Sequence, residues 1–180
     1  LIRSLKPNVT QDEALRTFRA SGISSLLWRM RRGPLQKIAK AYVPFRLYRV
    51  RYSMNRERVQ RIFAMDAVDG SLDLFEFRTV PEEGEFVTVQ TRNCLPDALS
   101  QERAQQILRD KVLRIVFQQG FFKLRDASLE IEALPTEIYL PYWLGFYGGH
   151  NSLRCRVMDA VRRRIEGAKA TAFFEQWLMA

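Results

Sequence analysis

Tyr42-Val43-Pro44-Phe45-Arg46-Leu47, followed by Arg61-Ile62-Phe63-Ala64-Met65-Asp66-Ala67-Val68, has a second version later in the chain. There Tyr139-Leu140-Pro141-Tyr142-Trp143-Leu144 precedes Arg154-Cys155-Arg156-Val157-Met158-Asp159-Ala160-Val161. Both versions run from Tyr-x-Pro-aromatic, across a polar turn, into Met-Asp-Ala-Val. Upstream, Thr10-Gln11-Asp12-Glu13-Ala14 lines up with Ser100-Gln101-Glu102-Arg103-Ala104. The separation is 90 residues at these segments, 97 at the tyrosines and 93 at the Met-Asp pairs, so loops differ in length. Such drift argues against an array of short identical repeats.

Local signals give each version the order helix, strand, turn, strand. Thr10 with Glu13 three residues on is a reciprocal helix cap, and Ala14, Leu15 and Phe18 supply the apolar stripe behind it. Gly22 is expected to end this helix, and Ile23 to Met30 read as a second short one, closed near Arg31-Arg32-Gly33-Pro34. Lys40 to Tyr52 reads as a long strand, Met54 to Glu57 as its turn and Gln60 to Val68 as the returning strand. Asp69-Gly70 is a tight-turn signal, Leu72 to Val80 a further strand, Pro81 to Glu85 an acidic loop, and Phe86 to Val89 another strand. Ser100 caps the clearest helix, with Ala104, Ile107, Leu108, Val112, Ile115 and Val116 at helical spacing and Gln119-Gly120 as its stop. Leu129 to Ala133 and Ile138 to Tyr147 read as extended, Gly148-Gly149 as a turn and Leu153 to Val161 as the returning strand. Arg162 to Arg164 stand where the first version has Asp69-Gly70, and Ala168 to Met179 form a closing helix.

The resulting fold class is α+β: a two-layer antiparallel sheet with helices on one face, built from two pseudo-symmetric helix-hairpin repeats. Residues 1–95 are expected to form the first α-β-β unit with an added strand pair, and residues 96–180 the second with its C-terminal helix. The two units are expected to make one compact body. The helix and hairpin, with Asp66-Ala67-Val68-Asp69-Gly70 leaving the second strand, resemble the PepSY-type α-β-β unit. The second version, Asp159-Ala160-Val161-Arg162-Arg163, keeps the start of that pattern and lacks its glycine. The resemblance implies a binding or inhibitory role, often outside the cytoplasm, and no catalytic residues.

Composition bounds the partners. The 180 residues are 47% hydrophobic and 12% aromatic, enough for a substantial core, and no apolar run approaches the roughly 18 residues of a membrane span. The chain begins with Leu1 rather than Met, which points to a fragment of a longer protein or a processed form. The compartment stays open, with the cytoplasm favoured. Cys94 and Cys155 are too few for a disulfide scaffold and lack CxxC spacing. The formal charge of +9 is spread along the chain and favours polyanionic or acidic partners, although compositional bias produces the same balance.

Catalytic signals are sparse. His150, the single histidine, lies in a turn and cannot build a multi-histidine metal site. No GxSxG, HExxH, P-loop or GxGxxG pattern is present, and no cofactor is implied. Asp66 and Asp159 occupy matching positions and suit a carboxylate pair, but an Asp ending a strand also locks a turn through backbone hydrogen bonds, the favoured use. Arginines at 29, 31 and 32 beside Leu26, Leu27, Trp28 and Met30 suit an interfacial membrane helix as well as a solvated face.

Two sets of residues remain as binding candidates. Arg46, Arg49, Arg51, Arg162, Arg163 and Arg164 are candidate anion contacts, with Arg49 and Arg51 sharing a strand face with Val43, Phe45 and Leu47. Tyr42, Tyr139 and Trp143 are candidate groove residues where Pro44 and Pro141 interrupt the ladder, and they equally suit a core. The reading is therefore a non-enzymatic interaction domain of a bacterial-type protein with a protein partner. Nucleic-acid binding by an arginine-aromatic sheet face is the alternative, and an unrecognised enzyme is the second. Oligomeric state is left open.

Overall fold

The computed structural model of the chain describes residues 1–19, 33–54, 57–118, 129–148 and 154–179. The short helix expected at 23–30, the arginines at 29, 31 and 32, the stop at 119–120, Gly149 and His150 lie outside the described residues. Three α-helices are described: α1 (Gln11–Arg19), α2 (Gln101–Gln118) and α3 (Ala168–Met179). Eight strands form one sheet: β1 (Ile2–Leu5), β2 (Leu35–Met54), β3 (Glu57–Asp66), β4 (Phe75–Phe77), β5 (Phe86–Val89), β6 (Glu130–Tyr147), β7 (Arg154–Asp159) and β8 (Arg164–Ile165). The strand order is β4-β3-β2-β6-β1-β5, with β7 pairing β6 and β8. No described helix is long and apolar enough to cross a membrane. The protein is α+β.

Contacts divide the chain into two units, each drawing on both halves of the sequence. Unit 2 comprises residues 44–85 and 96–138, and unit 1 the remainder. Unit 2 is built on the β2–β3 hairpin, antiparallel in register from Phe45↔Asp66 to Met54↔Glu57. Side chains alternate across a strand, so Tyr48, Val50 and Tyr52 share one face. Ala104, Leu108, Val112 and Val116 recur every four residues and align on one side of α2. These two sets, with Phe63 and Met65, make a single buried cluster. Ser100 caps α2, its Oγ accepting from Arg103 N–H at 3.3 Å.

Unit 1 is built on the β6–β7 hairpin, in register from Tyr142↔Asp159 to Tyr147↔Arg154. Ala14 and Phe18 on α1 pack against Trp143, Tyr147, Met158 and Ala160. Gly145 permits that approach, because a Cβ there would lie 2.9 Å from the Phe18 ring. Thr10 and Glu13 form the reciprocal cap: Thr10 N–H donates to Oε2 at 2.8 Å, and Glu13 N–H to Thr10 Oγ1 at 3.3 Å. The opposite hairpin face faces α3, with the Phe174 ring 5.3 Å from that of Tyr142. Helices on a single face are therefore not what unit 1 has. Its hairpin is apolar on both faces, with Trp143, Tyr147 and Met158 on one and Tyr142, Phe146 and Cys155 on the other, and each face has its own helix.

The helix that precedes each hairpin in sequence packs on the other hairpin: α1 on β6–β7, α2 on β2–β3. Several other elements depart from the local reading. β6 is continuous from Glu130 to Tyr147 rather than two segments. β4 covers only Phe75–Phe77, because Leu72 N–H is committed to Asp66 Oδ2 at 2.9 Å and stays in the turn. β1 pairs antiparallel with β5 and parallel with β6 at Ser4↔Tyr139. Pro44 stands where the β2 edge changes partner, between Tyr42, bridged to Cys94, and Phe45, where the β3 ladder begins. Its missing N–H leaves no gap in either pairing.

Candidate functional site

All six candidate arginines have carboxylate partners. Arg49 Nη1 donates to both oxygens of Glu132 at 2.9 and 3.0 Å, and Arg51 Nη2 lies 3.2 Å from Glu132 Oε2. The Arg49 hydrogen bonds, then the charges of both guanidiniums, hold the Glu132 carboxyl below the usual range. Arg46 is paired with Asp97 and reaches Gln101 at the start of α2. Arg162 Nε donates to the buried Asp159 Oδ2 at 2.6 Å, and Arg164 Nε to Glu166 Oε1 at 2.9 Å. Arg163 donates to the Asn8 carbonyl at 2.6 Å and to Glu13 at 3.1 Å.

The two aspartates secure turns. Asp66 Oδ1 accepts from Asp69 and Gly70 N–H at 3.1 and 2.8 Å, and Oδ2 from Leu72. Burial raises its pKa, with those three N–H donors working in the other direction. Asp159 Oδ1 accepts from Val161 and Arg162 N–H, both at 2.8 Å. Four residues beyond each Asp the backbone is left-handed, at Gly70 (φ 71°) and at Arg163 (φ 58°). The glycine missing from the second sequence is replaced by an arginine in the same conformation.

The candidate groove residues sit in or beside the core of unit 1. Tyr42 is 7% and Trp143 5% exposed, while Tyr139 is half-buried. Trp143 Nε1 donates to the Val9 carbonyl at 3.1 Å, and the Lys40 ammonium stands 4.4 Å from the centroid of its ring. Burial lowers the Lys40 pKa and raises that of Tyr42. Cys155 is buried too, its thiol pushed up to about 12 by desolvation and then by Glu175.

One member of the arginine set also opens onto solvent beside unfilled space. A cavity of about 260 Å³ at the end of the β2–β3 hairpin is lined by Arg51, Ser53, Arg58, Gln60 and Glu130, with Tyr52 and Val59 behind. The register pairs Arg51 with Gln60 and Ser53 with Arg58, so these four side chains share the hairpin face opposite α2. Glu130 lies two residues before Glu132 on β6 and therefore on the same face. All five are exposed. Arg51 Nε donates to Gln60 Oε1 at 3.1 Å, which together with Glu132 fixes its guanidinium. Arg58 has no ion-pair or hydrogen-bond partner among the described residues.

No family model, curated protein or solved structure matches the chain.

The site's chemistry thus rests on its own residues. Arg58, Ser53 and the edge of Arg51 present donors, while Glu130 presents an acceptor. Sequence reading found Arg51 from the alternating arginines and missed Ser53, Arg58 and Glu130. Residue parity on either side of the Met54↔Glu57 pair carries the signal for the first two, because 51 and 53 oppose 60 and 58.

Proposed function

We propose that this chain is a non-enzymatic interaction module that binds an acidic segment of a protein partner at the end of the β2–β3 hairpin. The observation that carries this reading is the Arg58 guanidinium, which has no ion-pair or hydrogen-bond partner among the described residues, beside a hairpin-end cavity. The positions of Arg51 and Ser53 are fixed by strand register, so little ordering is lost on binding. A carboxylate side chain takes donors from Arg58 and Ser53. The adjacent backbone N–H of the same segment donates to Glu130. A DNA backbone offers no N–H donor to Glu130, which favours the protein partner over it.

The module is a duplicated helix-hairpin unit in this reading, as the PepSY-type resemblance implies. Matched internal bonds support it. Ala67 N–H donates to the Pro44 carbonyl at 2.8 Å and Ala160 N–H to that of Pro141 at 3.1 Å. Asn8 N–H donates to the Ala160 carbonyl at 2.7 Å and Ala98 N–H to that of Ala67 at 2.9 Å.

The test is a fluorescence-anisotropy titration of labelled hexaglutamate and of single- and double-stranded oligonucleotides, at low and near-physiological salt with a polyanion competitor. Saturable hexaglutamate binding that survives near-physiological salt supports the reading. Oligonucleotide binding that survives and discriminates among sequences, without hexaglutamate binding, replaces it with the nucleic-acid one.

A further inference from the structure

An acidic segment of the kind that suits the hairpin end occurs within this chain. Glu82-Glu83-Gly84-Glu85 places three carboxylates in four residues, the densest acidic run in a chain of net charge +9. Pro81 and Phe86 are buried on either side of it, and all four of its residues are exposed. Two hydrogen bonds close the run into a turn: Glu82 N–H donates to Glu85 Oε2 at 2.8 Å, and Glu85 N–H to the Glu82 carbonyl at 3.0 Å. A Cβ added at Gly84 would meet nothing within 4 Å, so the tip stands in open space. The Glu82 carboxylate has no hydrogen-bond or ion-pair partner among the described residues.

Arg58 and Glu82 are thus opposite, exposed charges carried by every copy of the chain, neither of them paired among the described residues. The residues lining the hairpin-end cavity include none from the turn, so a copy does not fill its own cavity. At about 260 Å³ the cavity is smaller than the roughly 300–1,000 Å³ of drug-sized sites and suits one or two side chains. Strand register holds the cavity and internal hydrogen bonds hold the turn, so little ordering is lost when they meet.

We infer that the acidic partner of the hairpin end is a second copy of this chain, the Glu82 carboxylate of one copy taking donors from Arg58 and Ser53 of the other. This rests on the hairpin end being the acidic-segment site proposed above. Glu130 repels a carboxylate, which confines Glu82 to Arg58 and Ser53, aligned across the hairpin. Exchanged turns give two identical contacts about a two-fold axis and a closed pair. Net positive charge opposes association, but near-physiological salt screens charges farther apart than roughly 8 Å and leaves a direct Arg58–Glu82 contact intact.

Sedimentation velocity of the full chain at near-physiological salt, over a range of protein concentrations, tests it. The parent is expected to pass from monomer to dimer as concentration rises, and excess hexaglutamate to return it to monomer. Arg58→Glu and Glu82→Arg each weaken dimerisation at least tenfold, and the double variant carrying both restores it to within about threefold of the parent. Arg58→Glu lowers the net positive charge, so general repulsion alone would strengthen its association instead. Both positions are exposed, and thermal melts check that the variants keep the fold. Association that the single reversals leave unchanged, or that the double variant fails to restore, overturns the inference. A parent that stays monomeric overturns it too: if hexaglutamate still binds through Arg58 the proposed function survives, and if hexaglutamate does not bind both fall together.

Discussion

Arg51 and Gln60 face each other across the β2–β3 hairpin, with the Arg51 Nε donating to Gln60 Oε1 at 3.1 Å. This contact does for the hairpin's solvent face what the Tyr52↔Val59 pair does for its α2 face. It holds two strands in a register that aligns Ser53 with Arg58 beside the cavity. Binding chemistry and core packing thus follow from one alternation of side chains.

The left-handed turn after Asp66 depends on its glycine. Gly70 has φ 71°, and an added Cβ would lie 3.0 Å from Ile107 Cδ1. Gly70→Ala is expected to destabilise the protein by about 1–3 kcal/mol through backbone strain and crowding together. Arg163→Gly relieves the same backbone strain but loses the bonds to Asn8 and Glu13, so its net change stays within about 1 kcal/mol. Urea denaturation of the two variants measures the contrast. Equal, large losses would contradict it.

Gly145 is a packing glycine rather than a turn glycine. Gly145→Ala drives a methyl into the Phe18 ring and is expected to cost about 1–3 kcal/mol. Adding Phe18→Leu makes room, so the double variant recovers part of that loss. A double-mutant cycle with no coupling would show that α1 does not rest on this strand.

The Tyr52 hydroxyl is buried without a hydrogen-bond partner among the described residues. Tyr52→Phe removes a stranded polar group while keeping the ring among Leu108, Val112 and Val116. Thermal denaturation is expected to show stability unchanged or raised by up to about 1 kcal/mol. A loss above that would reveal a partner for the hydroxyl.

The α1 cap gives stability a pH dependence. Thr10's N–H, then its hydroxyl, with Arg163 adding charge, hold the Glu13 carboxyl below its ordinary value of 4.5. A depressed acid contributes stability that is fully present above the unfolded value and lost as pH falls through the folded one. Glu13→Gln should therefore be less stable than the parent above pH 4.5, with the difference shrinking on acidification below it. Urea midpoints taken from neutral pH to pH 3 check this, and a gap that widens in acid would contradict it.

Much of the fold is legible in the sequence because it is local. Thr10 and Ser100 announce their helices through capping, and alternation with Asp-Ala endings marks the hairpins. What stays hidden is long-range. Nothing near Phe18 says that it rests on Gly145, or that α1 belongs with the hairpin distant in sequence. The candidate arginines were visible as charges, whereas their partners Asp97, Glu132 and Glu166 lie on other elements or beyond turns. Arg58 and Glu130, which face open space, look no different in sequence from the arginines that are tied down.

The central claim is that the Arg58 guanidinium engages an acidic partner segment. Its most direct test is the dissociation constant of hexaglutamate for the chain and for Arg58→Gln at near-physiological salt, with Arg103→Gln, an exposed residue of α2, as a charge-matched control. The account predicts about tenfold weakening for Arg58→Gln and less than twofold for the control, with both melting temperatures unchanged. Equal weakening in the two variants would make the attraction a property of net charge and contradict the account.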